Sequence, residues 1–266
     1  MLLAVLTTLA AVQDINWEPA VPVKGALVFI SAPGAVTGEV AGEPLHFRGG
    51  QALAAVPLGT DDSLRIQTLY ILWNGDAAVD RAYVRVAARP APRGERLRTA
   101  PRFTTPPDSA LQARIDRERA LARDAARRAH QVPRLWSDPF VRPREARVTS
   151  VFGTGREVNG VLRSIHYGLD LDGRRGDPIH ASNRGVVALV GNFFYGGISV
   201  YLHHGEGLMT VYHHMSRALV AAGDTVERGQ LIGRVGATGR VTGPHLHWGA
   251  QYGAISFDPV ELLTLP

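Results

Sequence analysis

The sequence predicts a mainly β chain made of two β units joined by a helical linker. Three observations predict it. From Val21 to about Arg89, short apolar runs alternate with turn residues. One stretch only, "DSALQARIDRERALARDAARRAHQ", repeats its apolar positions at helical spacing. From Arg147 to the end the composition shifts to Gly-rich, β-branched sequence with no sustained helical period.

Composition bounds what the chain can do. It has 266 residues, 45% of them hydrophobic, which fits a globular protein of one large or two modest domains. There is no cysteine, so disulfides, thiolate metal sites and a lipoprotein anchor on cysteine are excluded. Any metal must then be held among 10 histidines and the carboxylates. A formal net charge of +5 suits anionic surfaces, including nucleic acid, lipid headgroups and charged envelope polymers, and does not choose among them.

Taken in order, residues 1–13, "MLLAVLTTLAAVQ", read as a secretory signal peptide. The apolar run ends in small residues and is far shorter than the roughly 20 residues of a membrane-spanning helix. Residues 17–92 read as an accessory β-sandwich of immunoglobulin-like type. Its strands are "ALVFI", "GEPLHF", "QALAAVPL", "RIQTLYILW" and "RAYVRVAA"; in the last, Ala82, Val84 and Val86 form the buried face. Its His46 stands alone and reads as structural. Residues 93–146 are the linker, in which prolines oppose regular structure and a helix covers about 109–130. Ser109 with Gln112 forms its capping box, Leu111, Ile115 and Leu121 its apolar side, and its mixed charges suit a solvated connection between units. Residues 147–266 read as all-β, with strands in "GVVALVG", "ISVYLHH", "LMTVYHHM", "LIGRVG" and "LHWGAQY".

Most histidines fall in this last unit. In "GPHLHW", His245 and His247 on a strand share one face about 7 Å apart, so one imidazole can bind a metal while the other overhangs its open position. In "HYGLDLDG", His166 and Asp170 would lie about 13 Å apart on a flat strand. To share an ion the chain must bend between them, at Gly168. Two histidines and one aspartate leave a fourth tetrahedral position open for water, the arrangement of catalytic rather than structural zinc.

The runs "HYGLDLDGRRGDPIHASNRGVV", "HHGEGLMTVYHHMS", "VAAGDTVERGQLIGRVGATGRVTGPHLHWG" and "FDPVELL" follow one another between about Ser150 and Leu263. In that order they resemble the motifs of the lysostaphin-type, or LytM-like, zinc metallopeptidases that cut peptidoglycan cross-bridges. The resemblance implies a C-terminal antiparallel β domain of barrel-sandwich type. It implies one Zn2+ per chain, held by His166, Asp170 and His247, with His245 as a catalytic residue beside the metal-bound water. A second catalytic histidine belongs to a Tyr-x-His-Leu motif, matched here by Tyr212-His213-His214-Met215. Spacing assigns it to His214, with His213 as the alternative, since neighbours on a strand face opposite ways. Which of His214 and His245 handles the water proton and which the leaving amine stays open.

The implied activity is hydrolysis of peptide cross-links of peptidoglycan by a metal-activated water, by a secreted, periplasmic or cell-envelope enzyme. The alternative is a catalytically silent LytM-like regulator of other wall hydrolases; such modules lack ligands that are all present here. No Gly-x-Ser-x-Gly elbow or cysteine offers a covalent route. A lipoyl- or biotinyl-type carrier, suggested by "AAGDTVERGQLIG", needs a lysine at its hairpin tip, and the chain's single lysine is Lys24. No recognition motif supports nucleic acid as a partner, and no transmembrane span is expected. His180, His203 and His204 read as structural. Asn159 reads as a substrate-binding or turn residue near the first ligand. The Pro-rich linker suggests an intramolecular contact of the N-terminal unit with the cleft, and hence partial autoinhibition.

Overall fold

The computed structural model describes residues 15–71 and 75–266; the signal-peptide reading of 1–13 lies outside the described residues. The N-terminal unit is two small antiparallel sheets. One orders its strands Asn16–Glu18, Leu27–Ser31, Gln51–Ala55, the other Glu43–Leu45, Ala35–Val40, Ser63–Ile71, Ala77–Arg85. Strand alternation divides the side chains. Val28, Ile30, Ala52 and Ala54 of the first sheet meet Val40, Leu45, Leu64, Ile66 and Val84 of the second in one core. Complete burial of each large aliphatic group there is worth about 1.5–3 kcal/mol. Ala82, Val84 and Val86 do turn inward, while Tyr83 is exposed.

The opposite face of the first sheet is also covered. Leu27, Leu53 and Ala55 belong to the core of the C-terminal unit, beside Tyr252 and Phe257. His46 is therefore not isolated in space. Its Nε2 lies 2.9 Å from Nδ1 of His130, whose Nε2 lies 3.0 Å from Glu43 Oε2, at the junction of sandwich, helix and C-terminal unit.

The helix runs Ser109–Ala129. Its cap is Asp108, not Ser109: the Asp108 carboxylate accepts from the Leu111 amide at 2.8 Å, satisfying an amide the helix leaves unpaired. Nor is it a free connector. Ala125, Ala126 and Ala129 pack on Tyr201, Met209 and Val211, while Leu121 faces solvent. Small alanines let the helix lie close on the sheet, a face that a search for large apolar residues overlooks. Arg114 and Glu118 fasten it further, to Asn192 O and the Phe194 amide.

The C-terminal unit is one ten-stranded sheet system. Its main path runs Thr225–Val226, Gly185–Phe193, Gly197–Gly205, Leu208–Ala218, His245–Tyr252, Leu169–Asp172, Val148–Ser150. Leu231–Val235 joins Pro178–His180 to Leu208–Ala218, and Ile255–Phe257 borders His245–Tyr252. The path does not close, so the barrel element of the expected fold is an open sheet. The linker supplies an unexpected strand to a separate three-stranded sheet: Glu95–Leu97 pairs in parallel with Arg156–Val158 of the strand Gly155–Val158, which pairs on its other side with Leu162–Ile165. Its prolines, Pro90, Pro92 and Pro101, flank a proline-free run over 93–100, whose amides remain free to pair.

Candidate metal centre

Sheet register builds most of the site. Asp170 stands directly opposite His247, and His247 opposite His213, on three adjacent strands. His245 follows two residues before His247, on the same face. His166 enters from the segment before Leu169–Asp172, fixed by its amide to Thr154 O and by the Gly153 amide to its own carbonyl.

His166, Asp170 and His247 form the metal-competent cluster found among the described residues. His166 Nε2 is 2.9 Å from His247 Nδ1 and 3.0 Å from Asp170 Oδ1, and His247 Nδ1 is 3.0 Å from the same oxygen. His166 Nδ1 donates to the Val151 carbonyl at 3.0 Å, so its Nε2 presents a lone pair. A lone pair facing a carboxylate oxygen is repulsive unless a cation lies between them, and this donor set fits zinc. Asp170 offers one oxygen only, because Arg156 holds Oδ2, Arg156 itself being paired with Glu95 at 3.0 Å and with Ser150 Oγ at 2.9 Å. Burial favours a neutral Asp170, but the close approach of the His166 and His247 imidazoles prevails and keeps its pKa well below the carboxylate range. Burial lowers the His247 pKa to about 4, leaving its ring neutral near pH 7.

The bend at Gly168 has a different cause from the expected one. Gly168 is absent from the left-handed region; it is glycine because a Cβ would stand 2.6 Å from both His247 Cε1 and the Trp248 carbonyl. Gly168→Ala is expected to displace the His247 ring and strain the Leu169–Trp248 pairing. Thermal unfolding should show a cost of about 1–3 kcal/mol, and metal analysis should show zinc below one per chain.

His213 and His214 both reach the cleft, contrary to simple alternation. His214 has φ 64°, and the pairing with Gly197–Gly205 slips between Ile198 and Val200. This break turns two successive rings the same way. His213 stacks on His247, centroids 5.2 Å apart, and its Nδ1 meets Ser199 Oγ at 2.8 Å. His214 packs 5.0 Å from His245, centroid to centroid. Its Nδ1 donates to the Thr238 carbonyl at 2.9 Å, while His245 Nδ1 donates to the Gly243 carbonyl at 2.9 Å. Both rings thus turn a free Nε2 to the cleft, and His245 Nε2 is 3.6 Å from Asp170 Oδ1. Burial first, then His245, His247 and His213, push the His214 pKa far below its ordinary value.

These groups line a cleft of about 460 Å³, with Tyr167, Tyr195 and Arg240 on its walls and Glu95, Leu97 and Thr99 contributed by the linker. Asn159 is not among the residues that line it. Its side chain joins the linker instead, bonding the Thr99 amide and carbonyl at 2.9 and 3.1 Å. His204 is buried, held by Arg184 O and Thr210, and His180 and His203 stand apart from the cluster. Arg156, Thr238, Tyr195, Arg240 and Glu95 have no signature in sequence; only the register of strands and loops brings them here.

The family model described as Peptidase family M23 matches residues 164–259. Over 104 residues the chain is 43% identical to the peptidoglycan DD-endopeptidase ShyA of Vibrio cholerae, covering 38% of this chain and 24% of that one. Over 118 residues it is 36% identical to the DD-carboxypeptidase/endopeptidase Mpg of Neisseria meningitidis, covering 44% and 27%. The alignments thus take in about a quarter of the length of these curated relatives. A crystal structure of an M23 peptidase candidate from Pseudomonas aeruginosa superposes with TM-score 0.70 at 27% identity, covering 91% of this chain and 95% of that one. The matched segment spans the strands that carry the cluster, and the chain therefore contains a domain of peptidase family M23.

Proposed function

We propose that this chain is a zinc-dependent endopeptidase that hydrolyses peptide cross-links of bacterial peptidoglycan outside the cytoplasm. The observation that carries the reading is the convergence of His166 Nε2, Asp170 Oδ1 and His247 Nδ1 within 2.9–3.0 Å at the floor of an open cleft. The named relatives, which include peptidoglycan DD-endopeptidases, support the substrate class. Zinc bound there would act as a Lewis acid toward a water and the scissile carbonyl.

The residues of the chain do the rest. His166 is oriented by Val151 O, and Asp170 is kept to one oxygen by Arg156. His245 and His214, each with Nδ1 tied to a carbonyl, are locked in the tautomer whose Nε2 can accept a proton in the cleft. Whichever takes the water proton becomes the donor for the leaving amine. His213 supports the His247 ring by stacking and is assigned no proton transfer. A silent regulatory module is disfavoured because every ligand and catalytic position carries the required side chain.

The test combines metal analysis with digestion of purified peptidoglycan. About one zinc per chain and new amine termini from wall peptides are expected. Absence of zinc would sink the metallopeptidase reading, and bound zinc without cleavage of any wall type would favour the regulatory one.

A further inference from the structure

Two arginines line the cleft, and they differ in one respect. Arg156 is neutralised by Glu95 and Asp170. Arg240 has no carboxylate partner among the described residues, and its side chain makes no hydrogen bond there; its guanidinium lies over the Tyr195 ring, 4.9 Å from the centroid. It is nevertheless only half-exposed. Removing a guanidinium from water without a partner is costly, so evolution normally pairs it or gives it a ligand.

Its backbone is firmly placed. The Arg240 amide donates to Tyr195 O at 2.8 Å, and Gly239, with φ 77°, packs so tightly that a Cβ would meet Gly197 N at 2.4 Å. Thr238, two residues earlier, donates its hydroxyl to Met215 O and offers its own carbonyl to His214 Nδ1. The same short loop therefore orients His214 and presents Arg240. Stacking on an aromatic face leaves the planar edge of a guanidinium, with its forked donors, open to a ligand.

We propose that Arg240 is a carboxylate-binding specificity residue, recognising a free carboxylate on a residue that flanks the scissile amide. This rests on the peptidase reading above. A ligand at Arg240 would sit on the His214 side of the metal cluster. A cross-link joined through an amine whose own carbon bears a free carboxylate places that anion beside the scissile bond, unlike an internal residue of an ordinary peptide. Burial works against the charge on Arg240 and is only partly offset by Tyr195, so an incoming anion relieves an unfavourable situation.

The test uses two synthetic cross-linked peptides that are identical except that this carboxylate is free in one and amidated in the other. Each is measured against the zinc-loaded wild type and against Arg240→Gln and Arg240→Lys. For the free acid, kcat/KM in Arg240→Gln is expected to fall about 10- to 100-fold, mainly through KM, with partial rescue by lysine; for the amide it should hardly change. Equal losses on both peptides, or none on either, would overturn the assignment. Should the wild type cleave neither, the peptidase reading fails on its own account, and calorimetric binding decides the Arg240 question separately. Tighter binding of the free acid than of the amide, abolished in Arg240→Gln, supports it; equal binding overturns it.

Discussion

His247→Ala is expected to remove zinc and activity together. Three donors meet at 2.9–3.0 Å, and catalytic zinc sites ordinarily use three protein ligands. With His247 gone, only His166 and Asp170 remain, and Asp170 also loses an imidazole neighbour that favours its ionised form. Zinc content should drop from about one to near zero per chain at stoichiometric metal. The rate on purified wall should fall by more than the roughly 10²–10⁴-fold attributable to one acid–base group. The fold itself should survive, because the core of the sheet rests on Leu246, Trp248 and Ala250, the strand's inward-facing partners. Retention of a full zinc with the activity intact would refute the ligand assignment.

That strand also shows what sequence could and could not reveal. His245 and His247 share a face because strand periodicity is two, and the prediction needed nothing more. The same rule applied to Tyr212-His213-His214-Met215 failed, because it assumes an unbroken strand. A left-handed residue at His214 and a slip in register place both rings in the cleft, and a histidine carries no mark that it will adopt φ 64°. Gly168 was legible as a special position, but not for its reason, since the ring and carbonyl that exclude a Cβ come from 80 residues away in sequence. Long-range placement likewise hid Glu95, which reaches Asp170 only through Arg156, and the bonds that tie the Asn159 side chain to Thr99 of the linker.

The linker strand changes how autoinhibition should be tested. Glu95, Leu97 and Thr99 line the cleft, so the segment in contact with it is the linker rather than the sandwich. Deleting everything up to about Arg134 would also strip the helix whose alanines cover Tyr201, Met209 and Val211. A lost rate would then reflect a damaged domain. The contact is instead probed at single residues whose removal leaves the helix in place.

His214→Ala should separate chemistry from metal binding. Its Nε2 faces the cleft, yet it lies outside the three-donor cluster. Zinc should stay near one per chain while kcat falls about 10²–10⁴-fold. The backbone supplies a second, independent readout. A non-glycine residue at φ 64° is strained, typically by about 1–2 kcal/mol, and such strain persists where the side chain is needed. His214→Gly should therefore be as inactive as His214→Ala but unfold at a higher temperature, because glycine adopts this conformation freely. His213→Ala, which removes the ring stacked on His247, should instead loosen zinc and leave kcat of the zinc-loaded fraction within about tenfold of wild type. If the two substitutions exchanged these signatures, His213 would be the catalytic histidine, and the positive φ at its neighbour would serve only to aim it.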